Sequence, residues 1–87
     1  MRLDKFLKNS RLIKRRTLAK EVADEGRITI NGLQAKAASK VAEGDELVIR
    51  YGQKIVTVKI ESTRDIVRKD EADTLYQVIN EERITNE

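Results

Sequence analysis

Gly26-Arg27-Ile28-Thr29-Ile30-Asn31-Gly32 is the stretch that decides the fold. It opens on a glycine placed where a preceding helix would take a left-handed cap. It runs through a polar–apolar alternation, as a half-buried strand does. It closes on Asn-Gly, whose tolerance of positive φ suits a two-residue hairpin. The period of the chain therefore switches from helix to strand at Gly26. Upstream, Leu18, Ala19, Val22 and Ala23 form an apolar stripe, so a helix is expected from Lys14–Thr17 to about Glu25, with Leu18 among its buried residues. Further back, Leu3, Phe6 and Leu7 sit at i, i+3, i+4, one face of a short helix that Asn9-Ser10 would end. Downstream, Gln34 to Lys36 is the expected return strand and Gly44-Asp45 a turn. Glu46 to Tyr51 and Lys54 to Ile60 should pair as a hairpin through Gly52-Gln53, with Ile55 or Val56, then Val58 and Ile60, facing the core. Glu61 to Lys69 reads as a connection. Ala72, Leu75, Tyr76 and Ile79 are spaced as in a last amphipathic helix with Asp70 near its N-cap, and residues 83–87 are expected to fray. The sequence predicts an α+β fold: two short N-terminal helices on a small antiparallel sheet, plus a C-terminal helix.

Charge is divided as sharply as period. Arg2, Lys5, Lys8, Arg11, Lys14, Arg15, Arg16 and Lys20 face a single acid, Asp4, giving +7 between residues 2 and 20. The whole chain carries only +3, so the remainder carries −4. One end is built to face a polyanion, and nucleic acid is the obvious one, because phosphate contacts supply most of the affinity there.

Composition narrows the function classes. With 87 residues, 39% of them hydrophobic, the chain can fill one small core and has little to spare for a buried catalytic cavity. It holds no cysteine and no histidine, which removes thiol chemistry, zinc knuckles and the commonest general base. Glu43, Asp45 and Glu46 surround a turn and look solvated, and there is no glycine-rich phosphate loop. No enzyme is expected. No apolar run approaches the length a membrane span needs, which is about 20 residues.

Taken in order, Arg2-Leu3-Asp4-Lys5-Phe6-Leu7, Lys14-Arg15-Arg16-Thr17-Leu18-Ala19-Lys20 and Gly26 to Gly32 resemble the αL RNA-binding motif, the S-four type domain named after a small-subunit ribosomal protein. The resemblance covers residues 1–60, leaving 61–87 as the connection and C-terminal helix of the same domain. The opening hexapeptide, Lys14-x-Arg16-x-x-Ala19-Lys20 and Glu71-Ala72-Asp73-Thr74-Leu75-Tyr76 are similar to the stand-alone, ribosome-associated members. The long basic extension of the small heat-shock-induced ribosome-binding type is missing, which favours the short quality-control type. That resemblance implies an RNA-binding ribosome-associated quality-control factor, cytoplasmic and without a cofactor. It would bind a large ribosomal subunit obstructed by peptidyl-tRNA, contacting rRNA and tRNA together. There it would support C-terminal alanine tailing of the stalled chain beside a NEMF-family tail-elongating factor, RqcH. A monomer is expected when free. Two other readings stay open: an assembly or stress-response factor on the same subunit, and a detached RNA-targeting subunit of an RNA-modifying enzyme.

Ten cations make up the candidate RNA surface. Arg16 and Lys20 share one side of the second helix, and Arg2 and Lys5 flank the stripe of the first. Lys14 and Arg15 stand at a helix start, where the dipole disfavours positive charge and an external anion is implied. Lys8, Arg11, Arg27 and Lys36 complete the set, with plain solubility as their competing role. Asp4 is expected to pair with Lys8 at i, i+4 rather than to catalyse. Phe6, Tyr51 and Tyr76 are the only aromatic residues, so recognition should run through phosphate, 2′-hydroxyl and shape more than through base stacking.

Overall fold

The computed structural model describes residues 1–84. Helix α1 spans Leu3–Asn9 and buries Leu3, Phe6 and Leu7 completely, as their spacing requires. A helix leaves its first N–H groups without intrahelical partners. Here the Leu3 and Asp4 N–H groups donate to the Ser39 and Ala37 carbonyls at 2.7 and 3.2 Å, so a distant loop completes the first turn. The chain leaves α1 through buried Ser10, whose hydroxyl donates to the Leu7 carbonyl at 3.2 Å, and through Arg11, held at φ 62°.

Helix α2 spans Arg16–Asp24 and buries Ala19, Val22 and Ala23. Leu18, expected in that stripe, is instead 48% exposed. At about 100° per residue it sits roughly 90° from the middle of the Ala19–Val22–Ala23 face, so small residues meet α1 and the larger leucine turns outward. The helix ends as the glycine predicts. Gly26 lies at φ 80°, its N–H donates to the Ala23 carbonyl at 3.0 Å, and the Arg27 N–H reaches the Val22 carbonyl at 3.3 Å. That pair of bonds is a Schellman cap. A Cβ at Gly26 would also overlap the Gln34 side-chain amide, whose flexible end would have to move aside.

Among the described residues five antiparallel strands follow, in spatial order β2-β1-β3-β4-β5. Strand β1, Ile28–Ile30, turns through Asn31 (φ 51°) and Gly32 (φ 86°) into β2, Leu33–Gln34, slightly earlier than the Gln34–Lys36 expected. The Asn31 side chain also bridges onward, accepting the Glu46 N–H at 2.9 Å and donating to Asp45 Oδ1 at 3.1 Å. Strands β3, Glu46–Tyr51, and β4, Lys54–Ile60, pair from Glu46↔Lys59 to Tyr51↔Lys54. Leu47, Ile49, Val56, Val58 and Ile60 face the helices and join Leu3, Phe6, Leu7 and Ile28 in one core, so Val56 rather than Ile55 is the inward residue.

The C-terminal segment departs from expectation. In place of an amphipathic α-helix through Ile79, the chain forms a 3₁₀ helix, Lys69–Leu75, and then strand β5, Tyr76–Arg83, paired along β4. Asp70 lies inside that 3₁₀ helix, and its N-cap is Arg68. Buried Ala72 and Leu75 satisfy an i, i+3 spacing that a three-residue turn meets as well as an α-helix does. Tyr76-Gln77-Val78-Ile79 is rich in β-branched and aromatic side chains, and the open edge of β4 offers it a ladder of backbone hydrogen bonds. The fraying expected over 83–87 does not include Arg83, which closes β5, and residues 85–87 lie outside the described residues.

Candidate nucleic-acid interface

Asp4 organises the basic face. Its carboxylate is buried and accepts hydrogen bonds from two guanidinium groups: Arg2 at 3.2 and 3.3 Å, Arg16 at 3.4 and 3.5 Å. The Lys5 N–H adds a third donor at 2.9 Å. The expected Lys8 partner is replaced, because Arg16 approaches from α2 and carries a fork that matches a carboxylate. Burial pushes the Asp4 carboxyl up. The Arg16 hydrogen bond and charge, the Arg2 charge and the Lys5 N–H outweigh it, holding the group below its ordinary 3.8. Asp4 therefore stays ionised, and one buried charge fixes two arginines. Each arginine side chain is still 49% exposed and keeps N–H donors free for an outside anion.

The other candidates separate by what already holds them. Lys5 Nζ pairs with Asp65 at 2.9 Å, and that bond and charge hold the Asp65 carboxyl below the ordinary range. Arg27 pairs with Glu25 at 3.3 Å, and lines a separate depression with Arg50 and Gly52. Lys36 Nζ donates to the Asp24 carbonyl at 3.3 Å, which places a cation at the carbonyl end of α2. Lys8, Arg11, Lys14, Arg15 and Lys20 are exposed and make no ion pair among the described residues.

Helix α2 carries its charges against its dipole. Arg15 and Arg16 stand at the amino end, Glu21, Asp24 and Glu25 at the carboxyl end. Such an order destabilises an isolated helix. Two outside residues answer it: Asp4 faces Arg16 at one end and Lys36 reaches the other. Lys14 and Arg15 receive no such answer among the described residues. They line a depression with Leu12, Ile13, Leu18, Val22 and Tyr51. Arg11 and Lys54 line the one beside it. Lys54, not singled out from the sequence, pairs with Glu81 across β4 and β5. Its only signal was a charged position at a strand start.

The S4 domain family model matches residues 1–47, which take in α1, α2, the β1–β2 hairpin and the opening of β3. The RQC P-site tRNA stabilizing factor of Halalkalibacterium halodurans is 68% identical, with 98% of this chain and 97% of that protein aligned. The chain belongs to the S4 domain family, among the proteins named RQC P-site tRNA stabilizing factor. The Bacillus subtilis protein of the same name is 63% identical over 97% of this chain and 98% of its own length. A trimeric structure of Vibrio cholerae Heat Shock Protein 15 superposes with a TM-score of 0.83 at 35% identity, covering 90% of this chain and 80% of that one. Within the S4 domain lie all ten cations singled out from the sequence, together with Asp4. Strand β4, the connection that reaches Lys5, and β5 lie beyond it. Among the described residues no helix is long and apolar enough to cross a membrane.

Proposed function

We propose that this chain is an RNA-binding factor of ribosome-associated quality control. It would act on the large subunit when peptidyl-tRNA remains there, contacting rRNA and tRNA together. The observation that carries the proposal is the basic face of the S4 domain. Arg2 and Arg16 are fixed on buried Asp4, and Lys14, Arg15 and Lys20 stand exposed without ion partners among the described residues. Fixed guanidinium groups suit phosphates held at one geometry, as in structured RNA, and the loose cations add long-range attraction. Near-full-length likeness to proteins named for stabilising P-site tRNA supports tRNA as one of the two RNAs.

The chain works by positioning, with no chemistry of its own. By holding the tRNA in place it supports alanine tailing of the stalled chain by a NEMF-family tail-elongating factor on the same subunit. It acts as a single copy, in the cytoplasm. Co-sedimentation with purified large subunits, with and without peptidyl-tRNA, tests this reading. Binding that requires the tRNA supports it. Equal binding to empty subunits overturns it in favour of an assembly or stress role, the reading that the likeness to Heat Shock Protein 15 would favour.

A further inference from the structure

Leu18 stands 48% exposed on α2, between Arg16 and Lys20 in the sequence. Beside it, Leu12, Ile13, Val22 and Tyr51 complete an apolar floor, rimmed by Lys14 and Arg15, with a volume of about 320 Å³. The Tyr51 hydroxyl donates to the Leu12 carbonyl at 2.9 Å, which ties the segment between the helices to the end of β3. Burial, and then the neighbouring Tyr76, push the Tyr51 hydroxyl up to about 12, so it keeps its proton and that bond at neutral pH. The floor is therefore held in place before anything binds.

We propose that this shelf receives an unpaired nucleobase of the RNA held by Lys14 and Arg15. The inference rests on the RNA-binding reading above and names a second kind of contact within it. Charge selects the occupant. Among the described residues no acid lines the shelf, and both charged residues at its rim are cations without ion partners. An apolar floor beside two positive charges complements a flat, weakly polar group attached to phosphates, which describes a nucleotide turned out of a helix. Size agrees, since about 320 Å³ lies near the lower end of small-molecule sites, roughly 300–1,000 Å³. An amphipathic peptide helix would need anchors spread over several turns. Aromatic scarcity had argued against base contacts, but a base can lie on leucine and one tyrosine edge when cations fix its backbone.

The test pairs Leu18→Ala with Lys14→Ala in co-sedimentation with large subunits carrying peptidyl-tRNA, over a salt series. Leu18→Ala should bind roughly five- to tenfold more weakly with an unchanged salt slope, because base contact releases no counterion. Lys14→Ala should flatten the slope by about 0.7–0.9. Leu18→p-benzoylphenylalanine should, on irradiation, give an adduct that ribonuclease removes. Wild-type affinity for Leu18→Ala overturns the shelf and leaves the RNA-binding reading standing. A photo-adduct to ribosomal protein also overturns it, in favour of a protein partner. Failure of the wild-type protein to bind these subunits would remove the RNA-binding reading itself, and the shelf with it.

Discussion

Two sets of cations share the basic face and are held in opposite ways. Arg2 and Arg16 grip one buried carboxylate, and their positions follow from the packing of α1 against α2. Lys14, Arg15 and Lys20 project into solvent with nothing to fix them among the described residues. Loose charges attract a polyanion from a distance and fade with salt. Fixed ones lose less entropy on contact and can demand a particular spacing of phosphates. Net charge alone would treat the sets as equal. The structure distinguishes them by an acid, Asp4, which fixes two of the bases around it.

The sharpest way to break this comparison is to remove the acid. Asp4→Asn keeps an acceptor for the Lys5 N–H but raises the net charge by one. If charge alone governed, RNA binding would tighten. We predict a loss of about tenfold or more, with a stability loss of about 1–3 kcal/mol, checked by binding titration and thermal melting. The cost stays below that of stranding a buried charge, because both arginines are half-exposed and return to water. Since the folded-state Asp4 pKa is depressed, its stabilisation is fully present above pH 3.8. It is lost as pH falls through the lower folded value. Acid titration of Asp4→Asn should lack that part of the decline.

Arg16→Lys sharpens the same contrast, since it keeps the charge and discards the fork. We expect binding several-fold weaker, between wild type and Arg16→Ala, and Arg16→Ala should keep most of its fold because Arg2 still pairs with Asp4. Binding of Arg16→Lys at the wild-type level would show that position does not matter there. For the loose set, a complex neutralising about six phosphates should show a log–log salt slope of about −4 to −5, and Arg15→Ala should lower its magnitude by about 0.7–0.9. The smallest effect lies on the shelf side. Tyr51 has a folded pKa raised from 10.0 to about 12, so its share of stability is present below pH 10 and fades as pH rises toward 12. Tyr51→Phe should lose the Leu12 bond, at a cost of about 0.5–1.5 kcal/mol, and flatten that alkaline limb of the melting curve.

The N-terminal half was legible because its signals are local. Gly26 and Asn31-Gly32 each need a left-handed backbone, which few residues accept, and the structure places both there. The apolar spacing of α1 likewise leaves one face to bury. What failed was set at longer range. The spacing of Ala72 and Leu75 fits two kinds of helix, and only the free edge of β4 turns Tyr76–Arg83 into a strand. Leu18 looked buried because it borders the stripe, but the small residues beside it let α1 approach from the other side. For the candidate site, sequence identified the cations but not their ties. The Asp4–Arg16 pair spans 12 positions and Lys5–Asp65 spans 60, so no local rule reports them.

The Ser39 and Ala37 carbonyls that take the Leu3 and Asp4 N–H groups, and the Met1 carbonyl that takes the Val41 N–H at 2.8 Å, couple the opening turn of α1 to the 37–41 segment. Within that turn the Phe6 N–H reaches the Arg2 carbonyl at 3.0 Å, whereas the Leu3 and Asp4 N–H groups find their partners only in the distant loop. In hydrogen exchange the Leu3 and Asp4 amides should open together with the 35–41 segment rather than with the rest of α1. Independent protection of those two amides would show that the opening turn holds by itself.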